Sequence, residues 1–303
     1  MDRHSKAVGL GLAVASAVAF GTLAIFAKLA YRARADPFPV LALRFLLTAL
    51  ILGGYLVAAR RWVELHRGRI VRLLLLGGIG YGLQSSLYFL ALEHAPAGTV
   101  AFLFYSFPVW TTVLTLAVGL ERFTWRLIVP LILAVGGVSV IFSFPGRGGI
   151  VGPILALLSA IAVAAYFVLA QVIAASVPPA MSALWTAAGA GLSLTATWLL
   201  GGGALPGKAL VPVGALALAT VVGFVCLFAA IERVGSARAS IASTVEPVTT
   251  AILAAAFLGE ILTSRVVAGG ALMLAAIPIL AASPRPGEGA ELQAACSDAS
   301  RGG

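Results

Sequence analysis

Ten apolar runs succeed one another along the chain, at residues 7–30, 38–59, 70–92, 97–120, 124–143, 149–174, 180–200, 209–231, 237–259 and 263–282. Each is about 20 residues long, enough helix to cross roughly 30 Å of hydrocarbon. The pattern predicts ten transmembrane helices. Turn-forming residues mark the breaks: Asp36-Pro37, Pro145-Gly146, Pro178-Pro179, Gly201-Gly202-Gly203 and Pro206-Gly207. The first run exceeds the apolar core of a secretory leader, about 7–15 residues, and reads as a retained span. Periodicity stops at Ser283, and 283–303 reads as a disordered cytoplasmic tail.

The runs are not independent of one another. Placing Pro247 on Pro108, an offset of 247 − 108 = 139, also places Glu232 on Glu93, Val248 on Val109, Thr250 on Thr111, Glu260 on Glu121, Thr263 on Thr124 and Arg265 on Arg126. Most of these matches are not apolar, so apolar composition does not produce them. A fainter echo relates Ser16 to Lys28 with Ser159 to Gln171. The chain reads as a duplication: an N-terminal repeat, 1–145, with spans one to five, and a C-terminal repeat, 146–282, with spans six to ten. Five is an odd number of crossings, so the second half inserts upside down relative to the first. The expected fold is an all-α polytopic membrane protein of ten helices in two inverted five-helix repeats. Such repeats place substrate sites near the bilayer midplane, between the halves.

Composition agrees with this. Hydrophobic residues make up 61% of the chain and charged residues 10%, against about 25% charged in soluble domains. The net charge of +9 sits in short loops, so it reads as an orientation signal and not as a nucleic-acid footprint. One side would hold Arg3, Lys6, Arg60, Arg61, Arg67, Arg69, Arg72, Arg122, Arg126, Arg233, Arg238, Arg285 and Arg301; the other would hold Arg32, Arg34, Arg147, Lys208 and Arg265. The richer side carries both termini, which predicts cytoplasmic termini in the inner membrane. Cys226 and Cys296 offer neither a disulfide framework nor metal-ligand spacing. Neither metal nor cofactor is expected. There is no HExxH, no pair of intramembrane acids and no Ser/His couple, so an enzyme is not expected either.

A few residues carry candidate chemistry. Pro108 and Pro247 fall near the centres of spans four and nine, where each removes a helix hydrogen bond and kinks its span. They read as matched hinges or as static packing kinks. Glu246 is costly within a bilayer and calls for a partner or a cavity. With Ser240, Ser243 and Thr250 it shares one helical face. It reads as a contact for a substrate ammonium, as a proton site, or as half of an ion pair with Arg44 or Lys28; Arg44 itself reads as structural. Tyr81, Gln84, Ser85 and Tyr88 form a polar-aromatic face on span three, and Tyr105 and Tyr166 offer similar groups on spans four and six. Small-molecule pockets are largely apolar and aromatic with a few placed polar groups. The expected substrate site is therefore Tyr81, Gln84, Tyr88, Tyr105, Tyr166, Ser243 and Glu246. Trp62, Trp125 and Trp198 read as interfacial belt residues, and the acids Glu93, Glu121, Glu232 and Glu260 as solvated loop groups.

Glu246-Pro247-Val248, followed by Leu258-Gly259-Glu260-Ile261-Leu262-Thr263, and the weaker Pro39–Arg44 pattern resemble the drug/metabolite transporter superfamily in its EamA-type ten-span branch. Within it the chain most resembles the YddG-type exporters of aromatic amino acids. The resemblance implies a secondary transporter that exports small amphipathic metabolites, amino acids including aromatic ones, by alternating access around a midplane cavity, with possible proton coupling. The alternatives are a passive channel and a multidrug or other-metabolite carrier of the same fold. A carrier of sugar phosphates would call for more intramembrane cations than Lys28 and Arg44.

Overall fold

The computed structural model describes residues 3–121, 123–141, 149–259 and 261–282. Glu260, Arg122, Arg147, Pro145-Gly146 and the tail expected to be disordered lie outside them.

Among the described residues ten apolar helical segments follow in order. Arg3–Gly21 (α1) and Leu23–Arg32 (α2) make the first span, and Pro37–Ala58 (α3) the second. Arg67–Leu75 (α4), a π-helical stretch Leu76–Tyr81 and Gly82–His94 (α5) make the third; Ala97–Phe104 (α6) and Phe107–Ala117 (α7) the fourth; Trp125–Ile141 (α8) the fifth. The second half runs through Val151–Ile173 (α9), Pro179–Gly201 (α10) and Leu210–Val234 (α11), then Ser236–Ser243 (α12) with Val245–Leu258 (α13) as the ninth span, and Ser264–Ala282 (α14) as the tenth. Nine of the segments are long and apolar enough to cross a membrane, and Trp125–Ile141 is a shorter tenth. No strand occurs among the described residues. Large apolar side chains such as Leu50, Leu199 and Val211 face outward. Lipid is the solvent such a surface requires.

Packing respects the duplication. The second span lies chiefly along the seventh and the fifth along the tenth; the first lies along the eighth and the third along the sixth. Moving every span five places on maps this set of pairs onto itself. The symmetry extends to single hydrogen bonds. Ser16 donates to the Gly223 carbonyl at 2.8 Å, tying the first span to the eighth. Ser159 donates to the Gln84 carbonyl at 2.9 Å, tying the sixth to the third. Gln84 and Gly223 are 139 residues apart (223 − 84), and Ser16 and Ser159 occupy matching places in the fainter echo. Close backbone approach holds the self-paired spans. A Cβ on Gly137 would stand 2.5 Å from the Gly269 carbonyl oxygen, and a Cβ on Gly269 equally close to that of Gly137. Small residues allow this contact where lipid supplies no hydrophobic drive.

The ninth and fourth spans are broken at equivalent places. Helix stops after Phe104 and resumes at Phe107, just before Pro108; it stops after Ser243 and resumes at Val245, just before Pro247. At each break a hydroxyl takes up a loosened carbonyl: Ser106 donates to Leu103 O at 2.6 Å, and Thr244 to Ile241 O at 2.7 Å. A third break, at Thr22 in the first span, uses the same device: Thr22 donates to Ala19 O at 2.7 Å. No proline announces that one. Its freed Gly21 carbonyl is met across the bundle by the Thr250 hydroxyl at 3.0 Å. The broken first and ninth spans thus lean on each other at mid-depth, where irregular backbone is tolerated because protein satisfies it.

Candidate functional site

A cavity of about 250 Å³ lies among the first, second, third, fourth, eighth and ninth spans. Its deep end is formed by Glu246, Tyr105 and Arg44, and its wall continues through Tyr81, Gln84, Ser85, Tyr88, Phe89 and Phe104 towards Val40 and Tyr31. The last two flank the 33–36 connection, so the cavity reaches from the middle of the bundle towards that end.

The helix breaks explain the deep end. Glu246 sits in the first turn of α13, just beyond the break at Thr244, and is part-exposed to the cavity. Tyr105 stands at the opposite break, where α6 ends. Tyr105 and Glu246 interact electrostatically across the cavity, so the two broken helices face each other through these side chains. Aromatic rings line the rest. Tyr88 meets Phe104 edge-on at 5.1 Å between centroids, and Tyr81 meets Phe45 at 5.0 Å. Gln84 is held by a weak bond from its amide nitrogen to Ser159 Oγ at 3.4 Å.

Of the seven expected site residues, Tyr81, Gln84, Tyr88, Tyr105 and Glu246 line this one cavity. Tyr166 and Ser243 do not. Tyr166 stands behind Tyr81, edge-on at 5.9 Å, within the core. Ser243 is buried and donates to Ala239 O at 2.9 Å. Of the residues on its helical face, Ser240 also turns back on its own helix, to Ala237 O, and Thr250 serves Gly21. Only Glu246 on that face reaches the cavity.

Arg44, read from the sequence as structural, lines the same cavity. Its Nε donates to Thr220 Oγ1 at 2.6 Å, and its guanidinium carbon lies 4.5 Å over the Phe45 ring. No ion pair joins it to Glu246. Tyr31, Phe89 and Phe104 were also missed, because in an apolar span an aromatic ring carries no sign of which way it faces.

The opposite end of the bundle is closed differently. Arg238 and Glu121 form an ion pair at 2.5 Å, each side chain 2% exposed. The expectation of a solvated Glu121 is thereby corrected: the break at Gly235 is a single residue, so Arg238 begins the ninth span inside the protein and meets the end of the fourth. Burial raises the Glu121 carboxyl above its ordinary value, against the pull of Arg238. Beside the pair, Gln171 Oε1 accepts from both the backbone N–H and the hydroxyl of Ser236 at 2.7 Å. A second cavity of about 440 Å³ lies at this end, with Gln171, Ser176, Ser182, Glu232 and Arg233 on its wall. The expected loop pair is present there, with exposed Glu232 and part-exposed Arg233 at 3.8 Å. Among the described residues no group of His, Cys, Asp and Glu forms a metal site.

The profile of the EamA-like transporter family matches the chain twice, over residues 7–143 and again over 150–282. A solved crystal structure sharing 18% identity superposes with a TM-score of 0.77, over 92% of this chain and 96% of its own. At that identity the likeness concerns the fold. No curated protein sequence matches significantly.

Proposed function

The chain belongs to the EamA-like transporter family of the drug/metabolite superfamily, and on that premise we propose that it is a secondary carrier of amino acids, aromatic ones included. It works by alternating access between two inverted halves, in the exporting direction, with both termini cytoplasmic. The observation that carries this reading is the deep end of the 250 Å³ cavity, where the Glu246 carboxylate stands part-exposed among Tyr81, Tyr88, Phe104 and Tyr105. An acid at that depth is costly unless something cationic or a proton answers it. The aromatic wall suits an apolar side chain, and the acid suits an ammonium. The cavity reaches one end of the bundle while Arg238–Glu121 and Gln171–Ser236 close the other, which suits an outward-facing state with a closed cytoplasmic side. The breaks before Pro108 and Pro247 stand where such a machine would bend.

Counterflow in proteoliposomes tests the reading. Vesicles preloaded with unlabelled L-phenylalanine should accumulate labelled L-phenylalanine transiently above equilibrium. A passive pore gives no overshoot, and a carrier of unrelated metabolites gives none with any amino acid. A second reading, proton coupling through Glu246, rests on the same acid. It predicts flux that follows an imposed pH gradient.

A further inference from the structure

Arg44 is in an unusual position for a structural arginine. The residue is 5% exposed and sits among Leu41, Leu43, Phe45 and the eighth span. A structural guanidinium at such depth is expected to have its donors satisfied, because an unmade charged hydrogen bond is expensive in a dry interior. Here one side only is satisfied. Nε donates to Thr220 Oγ1, which in turn donates to the Leu216 carbonyl at 2.7 Å, and the Phe45 ring lies under the plane. Nη2 is buried and has no hydrogen-bond partner. Arg44 lines the same cavity as Glu246, and no ion pair joins the two. Arg44 therefore acts on Glu246 through space across the cavity and not by a direct pair. Neutral neighbours flank both groups: Thr220 holds Arg44, and Tyr105 stands beside Glu246. The cavity thus presents one fixed positive and one fixed negative group on its wall, separated by space.

We propose that Arg44 is the carboxylate contact of the substrate site, so that the cavity takes α-amino acids as zwitterions, with the carboxylate on the Arg44 guanidinium and the ammonium on Glu246. This rests on the amino-acid reading above and sharpens it. The planar guanidinium, held at Nε, presents its remaining donors in a fixed direction, as carboxylate recognition requires. Thr220 and Phe45 are positioning residues: they touch the arginine and not the ligand. A simple amine or a simple carboxylic acid satisfies one group and leaves the other bare. A free amino acid satisfies both and brings no net charge into the bilayer.

Binding to the purified full-length protein tests this with three probes: L-phenylalanine, L-phenylalaninamide, which lacks the carboxylate, and 3-phenylpropionate, which lacks the ammonium. A hydrogen bond to a charged group corresponds to about ten- to a hundredfold in affinity. Wild type should bind the amide weaker than phenylalanine by about that factor. Arg44→Gln should weaken phenylalanine by a similar factor, leave the amide nearly unchanged and so bring the two together. Thr220→Val should weaken phenylalanine by less while preserving the order. The wild-type comparison stands alone if Arg44→Gln does not fold. Equal wild-type affinity for phenylalanine and its amide overturns the proposal, and so does an Arg44→Gln protein that keeps the wild-type ratio. Failure of every amino acid to bind overturns the amino-acid reading as well. Phenylpropionate binding as tightly as phenylalanine, with the amide still weak, removes the ammonium contact and leaves Arg44 in its role.

Discussion

Arg238 and Glu121 meet at 2.5 Å with both side chains 2% exposed, and their contact ties the start of the ninth span to the end of the fourth. These are two of the spans that break beside the cavity. For a buried pair, the cost of desolvation roughly offsets the attraction. The contact therefore fixes which helices meet at this end more than it adds stability.

The pair gives a pH-dependent expectation. Burial already raises the Glu121 carboxyl, and Arg238 opposes that shift. Arg238→Gln removes the opposition, and the folded value rises further above the unfolded one, about 4.3. For an acid shifted upward, the stability is present below the unfolded value and is lost as pH rises through the folded one. The thermal stability of Arg238→Gln should thus lie near wild type at about pH 4 and fall away from it towards pH 8. Breaking a buried pair outright costs about 3–5 kcal/mol; proton uptake by Glu121 should keep the loss below that. Melting curves across this range check it, and a gap constant with pH would mean Glu121 does not titrate.

The prolines are expected to act on rate more than on folding. Pro108 and Pro247 each follow a helix break whose carbonyls are taken up by Ser106 and Thr244. Pro108→Ala and Pro247→Ala each restore a backbone donor and favour one continuous helix. Transport should slow several-fold while the yield of folded protein changes little. Wild-type rates in both variants would mean that the breaks are fixed packing features.

Topology can be read by labelling. In a background lacking Cys226 and Cys296, a cysteine at His94 should react with an impermeant thiol reagent added outside intact cells. One at Arg233 should react only after permeabilisation. The two positions follow matching acids of the two repeats, Glu93 and Glu232. Equal labelling would remove the inverted arrangement. Arg238 does not enter the charge count, being buried, but twelve cations against five still favour the same side (13 − 1 = 12).

The membrane spans were legible because hydrocarbon thickness imposes one length on every run, and the duplication because its matching residues are polar. The site was half legible. Tyr81, Gln84 and Tyr88 recur at helical spacing, and Glu246 is conspicuous by cost alone. Ser243 shares that spacing, yet its hydroxyl bonds Ala239 O, one turn back. Small hydroxyls can satisfy their own backbone, so periodicity does not say whether they face a ligand. Arg44, read as structural, lines the cavity as well, and no residue pattern in its span marks that. The break at Thr22 and the π-helical stretch Leu76–Tyr81 depend on contacts between spans. Gly77 packs against the backbone of Thr186, and Gly189 against that of Leu74. Tertiary approach sets the backbone there, and no local residue pattern announces it.

Glu246 is where the account is most exposed. Glu246→Gln keeps the shape while removing the charge. Held against wild type, affinity for L-phenylalanine should fall about ten- to a hundredfold, and affinity for 3-phenylpropionate should hold or rise. The measurement is equilibrium binding of both ligands to the two purified proteins. Unchanged phenylalanine affinity in a folded Glu246→Gln protein would contradict the ammonium contact.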